Sequence, residues 1–167
     1  MVKVRLVTVN DVEQLLNCEI AIFESLRGML SNSFVDAEIR NLRQSQSVER
    51  MRNWIRNPNS LTLLAEDDDR KTIGFALGNL REDGVTHLGF LGVIPNHRRR
   101  GFGSSLLRKF IEEAEKKGAH KVFLNTAPSL HVAIRLYVKE GFVPEGFLKN
   151  HYHHQDFIIY SKFLQSR

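Results

Sequence analysis

The stretch between residues 85 and 114 restricts the fold of this chain more than any other. A strand-like run over residues 85–93 stops before Pro95, passes through Arg98, Arg99 and Arg100, and reaches Gly101 and Gly103. Leu106, Leu107, Phe110, Ile111 and Ala114 then follow at helical spacing. The helix is amphipathic, so one face has to lie against a sheet. Its start is suited to an anion: the first N–H groups of a helix point outward without partners, and the helix dipole is positive there. Gly101 and Gly103 remove side chains that would keep a phosphate from the backbone. The arginines add charge-assisted donors.

Other phosphate loops fit this segment badly. A dinucleotide fingerprint needs a third glycine where Leu106 stands, and a P-loop needs a Gly-Lys-Ser/Thr sequence that the chain lacks. The Gly-x-Ser-x-Gly turn of a nucleophile elbow is also missing.

The remaining elements follow from periodicity. Residues 2–9 read as a strand, with Asn10 as the N-cap of a helix running to about Leu26 on Val12, Leu15, Leu16, Glu19/Ile20 and Phe23. Residues 31–57 are helical but broken, and Pro58 ends them. Strands are expected over residues 61–66, 72–80 and 85–93, with Asp83-Gly84 as a hairpin turn. After the central helix, stopped by Gly118, come a buried strand at residues 122–126 and a helix closed by Gly141. Strands at residues 143–149 and 157–163 complete one α/β domain over residues 1–167, with a mixed sheet.

Composition narrows the class. With 42% apolar and 26% charged residues, the 167-residue chain has the make-up of a soluble globular domain. Cys18 is the only cysteine, so an internal disulfide is excluded and a cytoplasmic location is expected. The alternating start of the chain reads as a strand rather than a signal peptide. No apolar run approaches the roughly 20 residues that span a bilayer. The 24 basic residues exceed the 19 acids by five but are scattered apart from the arginine triplet. Nucleic acid is therefore not expected as a partner.

In this setting Val93-x-Pro95-x-x-Arg98-x-x-Gly101-x-Gly103 resembles the acetyl-CoA signature of the GNAT N-acetyltransferase superfamily. Ala133, Leu136 and Tyr137, followed by Gly141-Phe142, resemble that superfamily's second hallmark. The resemblance implies a mixed sheet of about seven strands flanked by about four helices and splayed between the fourth and fifth strands. It implies acetyl-CoA as cosubstrate and a primary amine as acceptor, with direct attack on the thioester. Backbone groups of Leu91, Gly92 and Val93 would meet the pantetheine arm. Amides of Arg98, Arg99, Arg100, Gly101, Phe102, Gly103 and Ser104 would hold the pyrophosphate. Tyr137 would protonate the departing thiolate. Gly89 and Gly92 suit a bulged strand at the splay. A homodimer is left open by the resemblance.

The chain departs from the family at several points. Arg99 stands where relatives often have glycine; lying before the tight part of the turn, it is expected to be tolerated. Leu130 replaces a cofactor-contacting asparagine or serine. The carboxylate bases of many relatives correspond here to Leu88/Gly89 and Asn125. An acceptor ammonium must still lose its proton, with pKa values of about 8 for an α-amine and about 10.4 for lysine. His87 is the leading candidate base and Asn125 could hold a relay water; His131, His151, Glu82 and Asp156 are further candidates at the cleft rim. The missing carboxylates keep a second reading alive, a CoA-binding sensor without catalysis.

Alternation would place His151 and His153 on one strand face, but nothing nearby completes a metal site, and a polar substrate rim fits them better. The segment from Gly146 to Tyr152, with the Gln155-Asp-Phe-Ile-Ile that follows, resembles the tails of peptide N-terminal acetyltransferases. Residues 23–57 and the final hairpin are expected to shape the acceptor site.

Overall fold

The computed structural model describes residues 3–164. The first strand, β1, covers Lys3–Leu6, shorter than the residues 2–9 expected; Val2 lies outside the described residues. Arg5 explains why the chain turns soon after. Its guanidinium bridges Glu66 on the neighbouring strand and Asp11, with Nη2 at 2.7 and 2.8 Å from their carboxylates. Asp11 also accepts from the N–H and hydroxyl of Thr8, and its pKa falls to about 2, chiefly through Arg5. A 3-10 turn, Val9–Asp11, therefore precedes α1 (Val12–Glu24), and Asp11 rather than Asn10 occupies its N-cap position.

The broken helical stretch divides into α2 (Asn32–Leu42), capped by the Ser31 hydroxyl, and α3 (Ser47–Arg56). The described helices longer than a single turn consequently number five. A meander of β2 (Ser60–Glu66), β3 (Thr72–Leu80) and β4 (Val85–Val93) follows. Then come α4 (Phe102–Lys116), β5 (Lys121–Thr126), α5 (His131–Lys139), β6 (Val143–Leu148) and β7 (Phe157–Phe163). Past α4 and α5 the chain turns at Gly118 and Gly141, with φ of 88° and 87°.

The seven strands among the described residues form one sheet in the order β1-β2-β3-β4-β5-β7-β6. Every neighbouring pair is antiparallel except β4 and β5, whose parallel pairing needs the α4 crossover. Residues from α4 and α5 share one core with the sheet, including Phe110, Leu106, Leu107, Leu124, Tyr137 and Tyr160. On the opposite face Leu15, Cys18 and Ile22 of α1 meet Leu64 and Phe75. Phe23 and the α2 residues Val35 and Ile39 form a third cluster with Ala127. The position shared by Glu19 and Ile20 in the helical pattern is resolved unexpectedly: Glu19 is buried and Ile20 only half-buried.

His151, His153 and His154 do not lie on a strand. They occupy the connection between β6 and β7, where Tyr152–His154 form a 3-10 turn and His153 and His154 take φ of 47° and 60°. No alternation holds in such a turn, so the shared face expected from the sequence does not exist.

Candidate functional site

The site begins where two strands part. Pairing of β4 with β5 runs from Val85–Lys121 to Leu88–Leu124 and stops there. At that level β4 bulges: Gly78 of β3 pairs with Leu88, Leu77 pairs with Phe90, and Gly89 is left over. Simple alternation would place Leu88 and Phe90 on one face. The extra residue instead sends Leu88 into the α4–α5 core and Phe90 toward α1. Residues 90–93 still pair with β3, but their other edge has no strand partner among the described residues. Asn125 and Thr126 have likewise turned away to pair only with Ile159 and Ile158 of β7. The result is a fork, with one strand edge free along one side.

The loop above the fork is held by its own backbone. Ile94 N–H donates to Ile73 at 2.9 Å, Pro95–His97 make one 3-10 turn, and Gly101 takes φ of 87° at the N-cap of α4. The bond from Ser105 N–H to the Gly101 carbonyl, 3.0 Å long, opens the helix. The N–H groups of Phe102, Gly103 and Ser104 precede it and so have no intrahelical acceptor. None of the three arginines forms an ion pair among the described residues. A helix start with free donors and uncompensated cations is a strong anion site.

The arginines differ in what they do. Arg98 is half-buried and points back into the protein: Nε donates to the Val93 carbonyl at 2.8 Å and Nη2 to the Ser25 hydroxyl at 2.5 Å. It therefore ties the end of β4 to the end of α1, and one of the backbone acceptors expected to face a pantetheine arm is already occupied. Arg100 is exposed, with Cζ 5.8 Å from the Phe102 ring centre. Arg99 itself takes φ of 60°, so it does not escape the tight part of the turn. A left-handed conformation costs a side-chain-bearing residue about 1–2 kcal/mol, a physical reason for glycine at this place in relatives. At Gly103 an added Cβ would meet only Leu136 Cδ2, at 3.6 Å, so the fold itself does not demand glycine there.

This division of labour is testable by urea denaturation and calorimetry with coenzyme A. Arg98→Ala is expected to lower stability by about 2 kcal/mol, through loss of its charged hydrogen bonds. Arg100→Ala should change stability by less than about 0.5 kcal/mol while weakening coenzyme A. Equal stability losses in the two variants would refute the distinction.

A family model described as the acetyltransferase (GNAT) family matches residues 23–142. The chain belongs to the GNAT family. Among curated relatives, the [ribosomal protein bS18]-alanine N-acetyltransferase of Escherichia coli is 34% identical over 82 residues, 49% of this GNAT chain and 55% of that protein. The chain thus spans about half the length of the first curated relatives it matches. The Salmonella typhimurium protein of the same name is 35% identical over 103 residues, 59% of this chain and 68% of that one. The solved structure of the PaiA N-acetyltransferase from Thermoplasma acidophilum, in complex with coenzyme A, superposes with a TM-score of 0.81 at 23% identity, covering 98% of this chain and 99% of that one. The ribosomal-protein-alanine N-acetyltransferase of Brucella melitensis gives 0.78 at 23%, covering 97% and 99%.

Within this GNAT fold the candidate residues fall into groups. Tyr137 lies on α5, next to Leu136, whose Cδ2 is 3.6 Å from where a Cβ on Gly103 of α4 would stand. Its ring is buried between Phe142 and Tyr160, with centres 5.9 and 6.5 Å away, and its hydroxyl makes no hydrogen bond among the described residues. Burial pushes its pKa above the ordinary 10, so it carries its proton throughout the neutral range. His87 stacks on Phe123 of β5, with centres 4.6 Å apart, and burial lowers its pKa below 6.5. Its Cε1 lies 3.8 Å from where a Cβ on Gly89 would stand, so its ring borders the bulge. Asn125 is two residues beyond Phe123 on the same strand face and is exposed.

The other candidate bases lie elsewhere. Glu82 is exposed in the β3–β4 turn, His131 is exposed at the start of α5, and His151 is exposed in the β6–β7 connection. Asp156 is engaged by Lys149 Nζ and the Asn150 N–H. Cys18 is buried and its thiol is pushed up to about 12, by burial first and then by Glu19, so it is no thiolate. Among the described residues no cluster of three or more His, Cys, Asp or Glu could hold a metal, and no helix is long and apolar enough to cross a membrane.

Three contributors were missed in the sequence. Ser25 receives Arg98, and nothing local signals this contact. Glu19 and Glu38 share a pocket between α1, α2 and α3. For Glu19 the signal existed, an acid at a core position of the α1 pattern.

Proposed function

We propose that this protein transfers an acetyl group from acetyl-CoA to a primary amine. The observation that carries the reading is the conjunction of the fork with free N–H groups and uncompensated arginines at the start of α4. The strand edge at residues 90–93 can align an extended amide-bearing arm, and the helix start can take its pyrophosphate through Arg100, Gly101, Phe102, Gly103 and Ser104. Arg98 holds the loop in place. The names of the curated relatives favour an amino group at a protein N-terminus as acceptor, with lysine and small amines as the other members of the class.

The chemistry asks two things of the protein. The acceptor nitrogen must be freed of a proton so that its lone pair can form the new C–N bond, and the leaving sulfur must be stabilised as its bond to carbon breaks. His87, kept neutral by its surroundings and bordering the bulge, can take the first proton, directly or through a water at Asn125. Tyr137 retains a proton for the sulfur. The absence of a carboxylate on the fork favours a second reading, binding of coenzyme A as a signal without turnover.

Release of free thiol and mass-spectrometric detection of acetylated product, with alanine-initiated peptides, lysine peptides and small amines, separates the two. Turnover with at least one amine is expected. Tight coenzyme A binding with no product from any acceptor would leave the sensor reading. If His87 is the base, kcat/KM should fall with decreasing pH only below the ordinary histidine value of about 6.5, and His87→Ala should remove that limb. An unchanged profile would exclude His87.

A further inference from the structure

Outside the fork, one cavity of about 250 Å³ opens between α1, α2 and α3 over Leu77 of β3. Its wall is largely apolar, with Leu16, Leu42, Met51 and Trp54. The Trp54 indole N–H is occupied by the Thr62 hydroxyl at 3.1 Å, which leaves the ring as an apolar surface. Into this pocket come two carboxylic acids, Glu19 from α1 and Glu38 from α2. Glu19 is only 8% exposed and makes no hydrogen bond or ion pair among the described residues.

The cations nearby do not neutralise it. Arg50, on the rim, directs Nη1 to Gln44 Oε1 and Nη2 to the Asn41 carbonyl, both at 2.8 Å. His153 acts electrostatically on Glu38 from the β6–β7 connection. Glu19 feels only burial and the like charge of Glu38, which push it up to about 8. A buried acid without a partner keeps its proton at neutral pH and ionises only when something outside the chain supplies a counter-charge. A divalent metal is a poor match, because it needs about six oxygen ligands and the pocket has two carboxylates among hydrocarbon walls. A positively charged nitrogen on a hydrocarbon chain matches both parts.

We propose that Glu19 and Glu38 form a binding site for an alkylammonium group, its nitrogen between the carboxylates and its methylenes against Leu16, Met51, Trp54 and Leu77. The pocket shares a sheet face with the fork. Leu77 pairs with Phe90, the first residue past the bulge, and lies two residues along β3 from Asn79, the partner of His87. A diammonium ligand held here could therefore be an acceptor with a second cationic end. That last role rests on the acetyltransfer reading; the binding site itself does not.

The test uses the whole chain without acetyl-CoA. Butane-1,4-diammonium, n-butylammonium and the neutral butane-1,4-diol are titrated by calorimetry at pH 7 in buffers of different ionisation enthalpy. Both ammonium compounds are expected to bind, the diol not, with release of about one proton as Glu19 ionises. Glu19→Gln should weaken the ammonium compounds at least tenfold and abolish the proton release, and Glu38→Gln should weaken them less. Glu19→Gln should also raise Tm at pH 8 but not at pH 4. The native acid binds more protons than the unfolded one between 4.5 and about 8, so its stability falls as pH rises through that window. No binding by the wild-type chain, equal binding of the diol, or unchanged affinity in Glu19→Gln would overturn the proposal. Acetyl transfer could still be found in that case, and a failed transfer assay would not alter these titrations.

Discussion

Tyr137→Phe is expected to lower kcat about a hundredfold while leaving KM for acetyl-CoA and the fold nearly unchanged. A positioned general acid contributes about 10² to 10⁴ in rate, and a coenzyme A thiol leaves readily enough to favour the low end. The substitution keeps the ring between Phe142 and Tyr160, so packing of α5 on the sheet is retained. Because the hydroxyl makes no hydrogen bond among the described residues, its removal should leave Tm nearly unchanged. The pH dependence follows from the upward shift of the phenol. It gives up its proton only above the ordinary tyrosine range, so the loss should be uniform across neutral pH. An interaction made only in the transition state lowers kcat rather than raising KM. Steady-state kinetics would decide the matter, and an unchanged kcat would show that Tyr137 is only a core aromatic.

Phe110→Ala is expected to be the most destabilising of these changes. Phe110 is fully buried on α4, the helix whose first turn carries the proposed anion site. Its ring fills the notch left by Gly78, where an added Cβ would stand 2.5 Å from Phe110 Cζ. Removing a buried phenylalanine costs about 3–5 kcal/mol, depending on how far the cavity collapses. For a chain of this size that corresponds to a fall in Tm of about 6–20 °C. Refilling the notch from the other side should fail. A Cβ at Gly78 would also lie 2.2 Å from the His87 carbonyl, which is backbone and cannot swing aside. The double variant Gly78→Ala, Phe110→Ala should therefore be less stable than Phe110→Ala alone. A thermal melt showing rescue would refute this account of the packing.

Much of this arrangement is already visible in the residues. Strands β3, β4 and β7 have the limits that their patterns and turn signals indicate. The amphipathic α4 begins after Gly101 because a left-handed residue at the N-cap and a stripe of apolar residues are both local properties. The candidate anion site at that helix start is legible for the same reason, since free N–H groups and glycines are consequences of a few neighbouring residues.

The sequence therefore determined the order of the elements and the place of the loop, which depend on contacts a few residues apart. The tertiary structure decided everything that depends on partners far along the chain. Arg98 reads as a phosphate ligand until Ser25, 73 residues away, is seen to receive it. Arg99 reads as tolerated until the turn shows its φ to be positive. His151 and His153 read as sharing a strand face until the connection between β6 and β7 curls the segment into a turn. Glu19 reads as one interruption in a helical stripe, and only the packing of α2 and α3 over α1 encloses it with Glu38. Burial is a property of the assembled layers, and so are the charge states and contacts that follow from it.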